Sequence, residues 1–310
     1  MEIQSEEGLL KAYDFLKQGN PDQAKTVLET VLENDLDNEE VIFAIRCSSF
    51  WIEYIKQLTT INDDFERGEA LLTEWKSFKS FIAREEHPVD RTLYAVQRGI
   101  FSLARRCYSG LGEEREPVRR SEIYSRTGLC CKKLGEYEAA KNCLIEANNL
   151  QPGTAAVLAE MADCYALCGE DRKAKVLFRE AFFLDPERID ISFLDSELIC
   201  CLIRQVEKKG YTGTVLQEWI PVYGVLLGVF NVKRVQRSQE IGKLKQEIYA
   251  KENESKDPAS DSSILTPRLI NMYFRLIDYY VLSDGNEKNI SDILLKIKIL
   301  DPEIHKLYVK

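Results

Sequence analysis

Residues 121–154, SEIYSRTGLCCKKLGEYEAAKNCLIEANNLQPGT, align without a gap on residues 155–188, AAVLAEMADCYALCGEDRKAKVLFREAFFLDPER. Gly135 falls on Gly169, Ala140 on Ala174, Ala147 on Ala181 and Pro152 on Pro186, each pair 34 residues apart. Self-similarity at one spacing marks a chain built from stacked units, and it outranks any local signal. Each repeated residue has a mechanical role. The glycine supplies the left-handed backbone that ends a first amphipathic helix. The two alanines lie seven apart on one face of a second helix, small enough for a neighbour to approach closely. The proline stops that second helix, because it has no N–H and its ring clashes with the preceding turn.

The same template extends to both ends. From Ser5 it places Ala12 at the eighth position, Gly19 at the turn and Ala24 at the twentieth, with Leu36 where proline is expected. From Asn271 it places Gly285 at the turn and Pro302 seventeen residues later, with Asp278 and Ile290 replacing the two small residues. A helix-turn-helix unit of this length, with Gly128 or Ala162 at the eighth position and Tyr124, Tyr137, Tyr165 and Phe178 at the aromatic ones, resembles the tetratricopeptide repeat. The resemblance implies an all-α fold, a right-handed α-α superhelix of antiparallel helix hairpins, whose stability is close to additive along the chain.

Between the matching stretches the apolar spacing predicts longer helices at about 39–58, 65–84 and 92–111, and again at about 190–209, 213–232 and 235–253. Turn signals at Asn62-Asp63-Asp64 and His87-Pro88 separate the first three. The expected organisation is an N-terminal repeat-like unit at 1–38, long degenerate hairpins at 39–120 and two clear repeats at 121–188. Long helices including an apolar one at 213–232 follow at 189–253. A Pro/Ser/Asp-rich, mobile connector at 254–267 then leads to a divergent repeat at 268–310.

The resemblance also carries a functional expectation. In the family, positions 2, 5, 9, 12 and 13 of the first helix face a concave groove. In this chain they are Glu122, Ser125, Leu129, Lys132 and Lys133, then Ala156, Ala159, Asp163, Ala166 and Leu167. With Arg126, the lysines suit an acidic segment, against the plainer reading of solvated charge, and the alanines leave room for a bulky side chain or helix. The family's clamp for acidic C-terminal tails needs Lys and Asn at the fifth and ninth positions. Ser125 and Leu129, Ala159 and Asp163, and Leu9 and Tyr13 stand there instead.

Composition narrows the alternatives. The 310 residues carry a net charge of -9, with 51 acidic against 42 basic residues, which disfavours nucleic acid as a partner. Two histidines, His87 and His305, leave little for acid/base catalysis or a multi-histidine metal site. Nine cysteines sit singly or as doublets with no CxxC, which reads as small buried thiols in a reducing compartment. No phosphate loop, nucleophile elbow or zinc-protease motif is present. The expectation is a non-enzymatic scaffold or adaptor without cofactor or metal, cytoplasmic since no signal peptide opens the sequence, and able to homo-oligomerise. It binds a protein or peptide in its groove.

Two segments compete with that reading. VLQEWIPVYGVLLGVFNV, 215–232, has Gly224 and Gly228 in the spacing of membrane helix pairs, but Gln217, Glu218 and Pro221 interrupt it and Lys233-Arg234 close it. A buried helix packed through its glycines is favoured over the alternative, a membrane-associated assembly or secretion factor, and a helical-repeat enzyme subunit is the least favoured reading. Beyond it, Val235, Ile241, Leu244 and Ile248 form an apolar seam, for internal packing or for dimerisation. The aromatics Trp51, Tyr54, Trp75, Tyr273, Phe274, Tyr279 and Tyr280 are read chiefly as core.

Overall fold

The computed structural model describes residues 2–112, 114–232, 236–283 and 287–309. Among them every regular element is helical, and most helices pack on their chain neighbours, the pattern of a helical-repeat solenoid. The chain divides into two compact units, Met1–Gln151 and Pro152–Lys310. That division falls between the repeats of residues 121–188, which the sequence grouped together.

The first unit contains α1 (Glu2–Lys17), α2 (Pro21–Leu32), α3 (Glu39–Leu58), α4 (Asp64–Ile82), α5 (Asp90–Ser109), α6 (Pro117–Lys133) and α7 (Tyr137–Leu150). Local chemistry sets the helix starts. Asn38 accepts a hydrogen bond from the Val41 N–H at 3.1 Å and Asp63 one from the Glu66 N–H at 2.8 Å, so each satisfies a donor that the first turn leaves unpaired. The long helices α3, α4 and α5 are joined by rings. Trp51 stacks on Trp75 with centroids 6.3 Å apart, Phe78 lies 5.5 Å from Trp51, and Phe101 of α5 meets Trp75 at 5.0 Å. Residues this large hold helices apart where alanine would let them close, which is why residues 39–120 lose the compact repeat signature.

Helix α5 also packs back on α1. A Cβ on Gly99 would lie 1.9 Å from the Leu16 carbonyl oxygen, so only glycine fits this crossing. Polar bonds fasten the same contact. The Tyr13 hydroxyl donates to Glu40 at 2.5 Å and lies 3.0 Å from the Thr92 hydroxyl.

The second unit contains α8 (Ala155–Leu167), α9 (Asp171–Leu184), α10 (Glu197–Glu207), α11 (Gly213–Leu226), α12 (Ser238–Glu254), α13 (Ser262–Leu282), α14 (Glu287–Leu300) and α15 (Pro302–Val309). Two 3-10 turns, Pro186–Arg188 and Ile191–Phe193, lie between α9 and α10. They shorten the helix expected at 190–209: Asp190 caps the second turn, and Asp163 of α8 accepts the N–H groups of Asp195 and Ser196, both at 2.8 Å, fixing the chain where α10 begins.

The helix expected over 213–232 ends at Leu226 and runs through Pro221. Gly228 then turns at φ 73° and the Phe230 N–H donates to the Gly224 carbonyl at 2.8 Å. This folds the Phe230 ring over Gly224, where any Cβ would strike it. The two glycines therefore serve a helix end and its returning ring, not a close helix pair. Helix α11 is buried against α9, α10 and α13. The seam of Ile241, Leu244 and Ile248 is buried on α12, which packs on α13, so internal packing accounts for it; Val235, Lys233 and Arg234 lie outside the described residues.

The connector expected over 254–267 is shorter. Helix α12 reaches Glu254, and α13 starts at Ser262, where the Asp261 carboxylate accepts the Ser263 N–H at 2.9 Å. Pro267 lies inside α13, buried. That helix is longer than the first helix of a repeat. Its Asp278, a departure from the template, pairs with Arg179 of α9, whose guanidinium also donates to the Val232 carbonyl at 3.1 Å. Arg275 grips both oxygens of Glu180 at 3.1 and 2.9 Å and lies 3.7 Å over the Phe183 ring. Gly285 lies outside the described residues.

Gly242 offers a test of packing against propensity. It sits in α12 with no atom within 4 Å of a would-be Cβ. Gly242→Ala is expected to stabilise the second unit by about 0.5–1 kcal/mol through reduced backbone entropy. Urea denaturation checks this, and an unchanged or lower midpoint counts against it.

Candidate interaction surfaces

The hairpin geometry is the frame on which any surface is carried. Gly19, Gly135 and Gly169 turn with φ of 77°, 80° and 78°. At each, the following N–H returns to the carbonyl five residues back: Asn20 to Phe15 at 2.9 Å, Glu136 to Cys131 at 2.9 Å and Glu170 to Tyr165 at 2.8 Å. These bonds satisfy carbonyls that a helix end leaves open. Ala24, Ala140, Ala147, Ala162, Ala174 and Ala181 are fully buried. Gly128 is equally confined, since a Cβ there would lie 2.7 Å from Leu144. Pro152 follows the end of α7, Pro186 opens a 3-10 turn and Pro302 opens α15, a position where its missing N–H is no loss.

The groove positions read from the repeat do not form an open surface. Glu122 is exposed and Ser125 half-buried, but Leu129, Lys132 and Lys133 are 3%, 2% and 6% exposed. The solvated lysine patch is therefore not present. Arg126 is half-buried and committed to Glu69 of α4, at 2.7 Å through Nε and 2.8 Å through Nη2, while Glu69 also accepts the Tyr108 hydroxyl at 2.7 Å. In the second unit Ala156, Ala166 and Leu167 are half-buried, Ala159 is buried, and Asp163 is the interior clamp on Asp195 and Ser196. Counting positions within a repeat gives a face, but not what packs over that face.

The open recesses lie elsewhere, at positions that repeat counting does not mark. In the first unit, Ile55 and Leu58 of α3, Leu71 of α4, and Leu103 and Cys107 of α5 line an apolar hollow of about 350 Å³. Its rim carries Asp64, Arg67 and Arg106. Arg67 pairs with Asp64, yet its Nε is buried without an acceptor. Arg106 is exposed and makes no ion pair among the described residues. The hollow thus offers apolar walls and an unmatched positive rim.

In the second unit, Phe183, Asp185, Glu187, Glu218, Glu247, Lys251, Arg268 and Met272 line a recess of about 300 Å³. Glu218 is 1% exposed, and burial pushes its carboxyl above the usual range although Arg268 pairs with it. Arg268 donates onward to Glu187 at 2.9 Å. A buried pair this well matched costs less to keep than to break, and it fastens α13 to α11. Its charges are spent on each other. No group of three His, Cys, Asp or Glu is arranged to hold a metal among the described residues.

No helix among the described residues is long and apolar enough to cross a membrane. No curated protein matches the chain. A family model does: residues 121–154, the α6–α7 hairpin, match the tetratricopeptide repeat. Residues 121–154, the first of the two units whose repetition decided the fold, are thus similar to a tetratricopeptide repeat, one hairpin in a chain whose regular elements among the described residues are all helical.

Proposed function

We propose that this chain is a non-enzymatic interaction scaffold, and that a partner docks in the hollow between α3, α4 and α5. The observation that carries the site is the apolar hollow with Arg106 unpaired at its rim. That combination fits a segment presenting an aliphatic side chain beside a carboxylate: the aliphatic group fills the hollow, and the carboxylate meets Arg106. The helices that shape it are locked by the aromatic core, so the surface is formed before binding and little ordering is lost. Tetratricopeptide repeats typically serve protein binding, which supports the scaffold reading. The rival use of residues 215–232 as a membrane element has less support, because α11 spends its apolar side chains inside the second unit.

Arg106→Glu tests the site. The side chain is exposed, so stability is expected to stay within about 0.5 kcal/mol of wild type. Capture of the partner, compared between wild type and variant by quantitative mass spectrometry, is expected to fall about tenfold, the effect of roughly 1.4 kcal/mol. Equal recovery of every captured protein removes the hollow from the proposal.

A further inference from the structure

Leu36 stands where the repeat template expects proline, in the turn between α2 and α3, and is 72% exposed. A single exposed leucine is ordinary on a protein surface. Its setting is not. Asp35 and Asp37 flank it, and the turn is pinned from beneath by Asn38, which caps α3 through the Val41 N–H and donates its side-chain amide to the Asp35 carboxylate at 3.0 Å. The Asp35 N–H donates to the Leu32 carbonyl at 3.1 Å and the Asn38 N–H to the Asp35 carbonyl at 3.3 Å. Asp35 is thereby spent inside the turn. Asp37 is exposed, and its carboxylate makes no hydrogen bond or ion pair among the described residues. The turn holds out one leucine beside one unpaired carboxylate, on a backbone ordered by its own bonds.

The hollow between α3, α4 and α5 asks for that chemistry. Ile55, Leu58, Leu71 and Leu103 supply apolar walls, and the rim stays positive, since Asp64 is matched by Arg67 and Arg106 is left over. Turn and hollow cannot meet within one chain, because they lie at opposite ends of α3. Ile55 is 16 residues beyond Glu39, about 24 Å along the axis at 1.5 Å per residue, and a leucine side chain spans only a fraction of that.

We propose, resting on the hollow's role as a docking site, that its occupant is a second copy of this chain, whose α2–α3 turn inserts Leu36 between α3, α4 and α5 and sets Asp37 against Arg106. The contact joins different surfaces of the two copies and is therefore head-to-tail. A copy that gives its turn still has an open hollow, so assembly continues into a ring or an open chain. One side chain and one ion pair bury little area, which makes the association weak, dependent on concentration and weakened by salt. Self-docking closes the hollow in concentrated protein, and another segment with the same aliphatic and acidic pair must compete with Leu36 and Asp37 to enter.

Sedimentation velocity of the purified full chain, from dilute to the highest soluble concentration and at low and high salt, reads the assembly. The wild type is expected to grow past dimer with concentration and to return towards monomer with salt. Leu36→Glu and Arg106→Glu, both at exposed positions, are each expected to stay monomeric. Mixed one to one they are expected to form a dimer and nothing larger, because the first keeps an intact hollow and the second an intact turn; two misfolded variants could not restore each other in this way. A wild type that stays monomeric, assembly that either substitution leaves unchanged, or a mixture that stays monomeric overturns the proposal. Capture of other proteins separates the occupant from the site. Leu36→Glu keeps the hollow and is expected to capture at least as well as wild type. If self-assembly fails while Arg106→Glu still loses capture, the second copy is the wrong occupant; if capture also survives Arg106→Glu, the hollow is the wrong site.

Discussion

Gly99→Ala is expected to destabilise the first unit by about 3 kcal/mol or more, the upper range for an overpacked core. The added Cβ would lie 1.9 Å from the Leu16 carbonyl oxygen and 3.1 Å from the Gly19 nitrogen. Both are backbone atoms at the end of α1, and the Leu16 carbonyl already accepts the Gly19 N–H at 2.9 Å. No rotamer relieves this clash. Either α5 or the α1–α2 turn must move. Gly128→Ala provides the comparison, because its first obstacle, at 2.7 Å, is the Leu144 side chain, which can shift in part; its cost is expected to be smaller, about 1–3 kcal/mol. Chemical denaturation of both variants checks the ranking. A Gly99→Ala protein as stable as wild type would show that the α1–α5 crossing is wrong.

Asp163→Ala is expected to cost the second unit about 3–5 kcal/mol. The carboxylate is fully buried and accepts two backbone N–H groups at 2.8 Å, those of Asp195 and Ser196. Hydrogen bonds to an ionised group are worth about 1.5–3 kcal/mol each, and alanine removes the acceptor of both donors and leaves the Ser196 N–H buried without this partner. Asp163→Asn, with one acceptor oxygen, is expected to fall between alanine and wild type. The same substitutions separate two roles for this position. A ligand-facing residue would change partner capture and leave the melting curve alone. The clamp predicts a lower melting midpoint, with protection of the Asp195 and Ser196 amides lost in hydrogen exchange. A wild-type melt for Asp163→Ala would return the residue to the groove.

Helices with their own start signals and unbroken periodicity were legible from the residues. The spacing predicts 39–58, 65–84 and 92–111; the helices run Glu39–Leu58, Asp64–Ile82 and Asp90–Ser109. Asn38 and Asp63 act within three residues of where they stand, so the helix starts they cap depend on local chemistry alone. The helix expected at 190–209 starts late because Asp163, 32 residues upstream, holds Asp195. The C-terminal part of the connector expected at 254–267 is helix, from Ser262, because Leu265, Pro267 and Leu269 find a core to bury in. A polar, proline-containing string carries no sign of that core.

The candidate site was less legible than the fold. Lys132, Lys133, Leu129, Ala159 and Asp163 occupy the groove positions that the repeat implies, and all of them are buried. Arg106 and Leu103, which shape the open hollow, lie in a stretch where the repeat signature has been lost to aromatic packing.

The sequence by itself determined that the chain is helical, where the two-helix turns fall and which small residues let helices close, because each is governed by contacts within a few residues or within one repeat. Only the tertiary structure decided that α5 returns to α1, that Glu218 and Asp278 are ion-paired in the interior, and which face stays open. Each of these depends on atoms brought together from distant parts of the chain, and burial of a face is a property of whatever covers it. No periodicity within the helix can encode that.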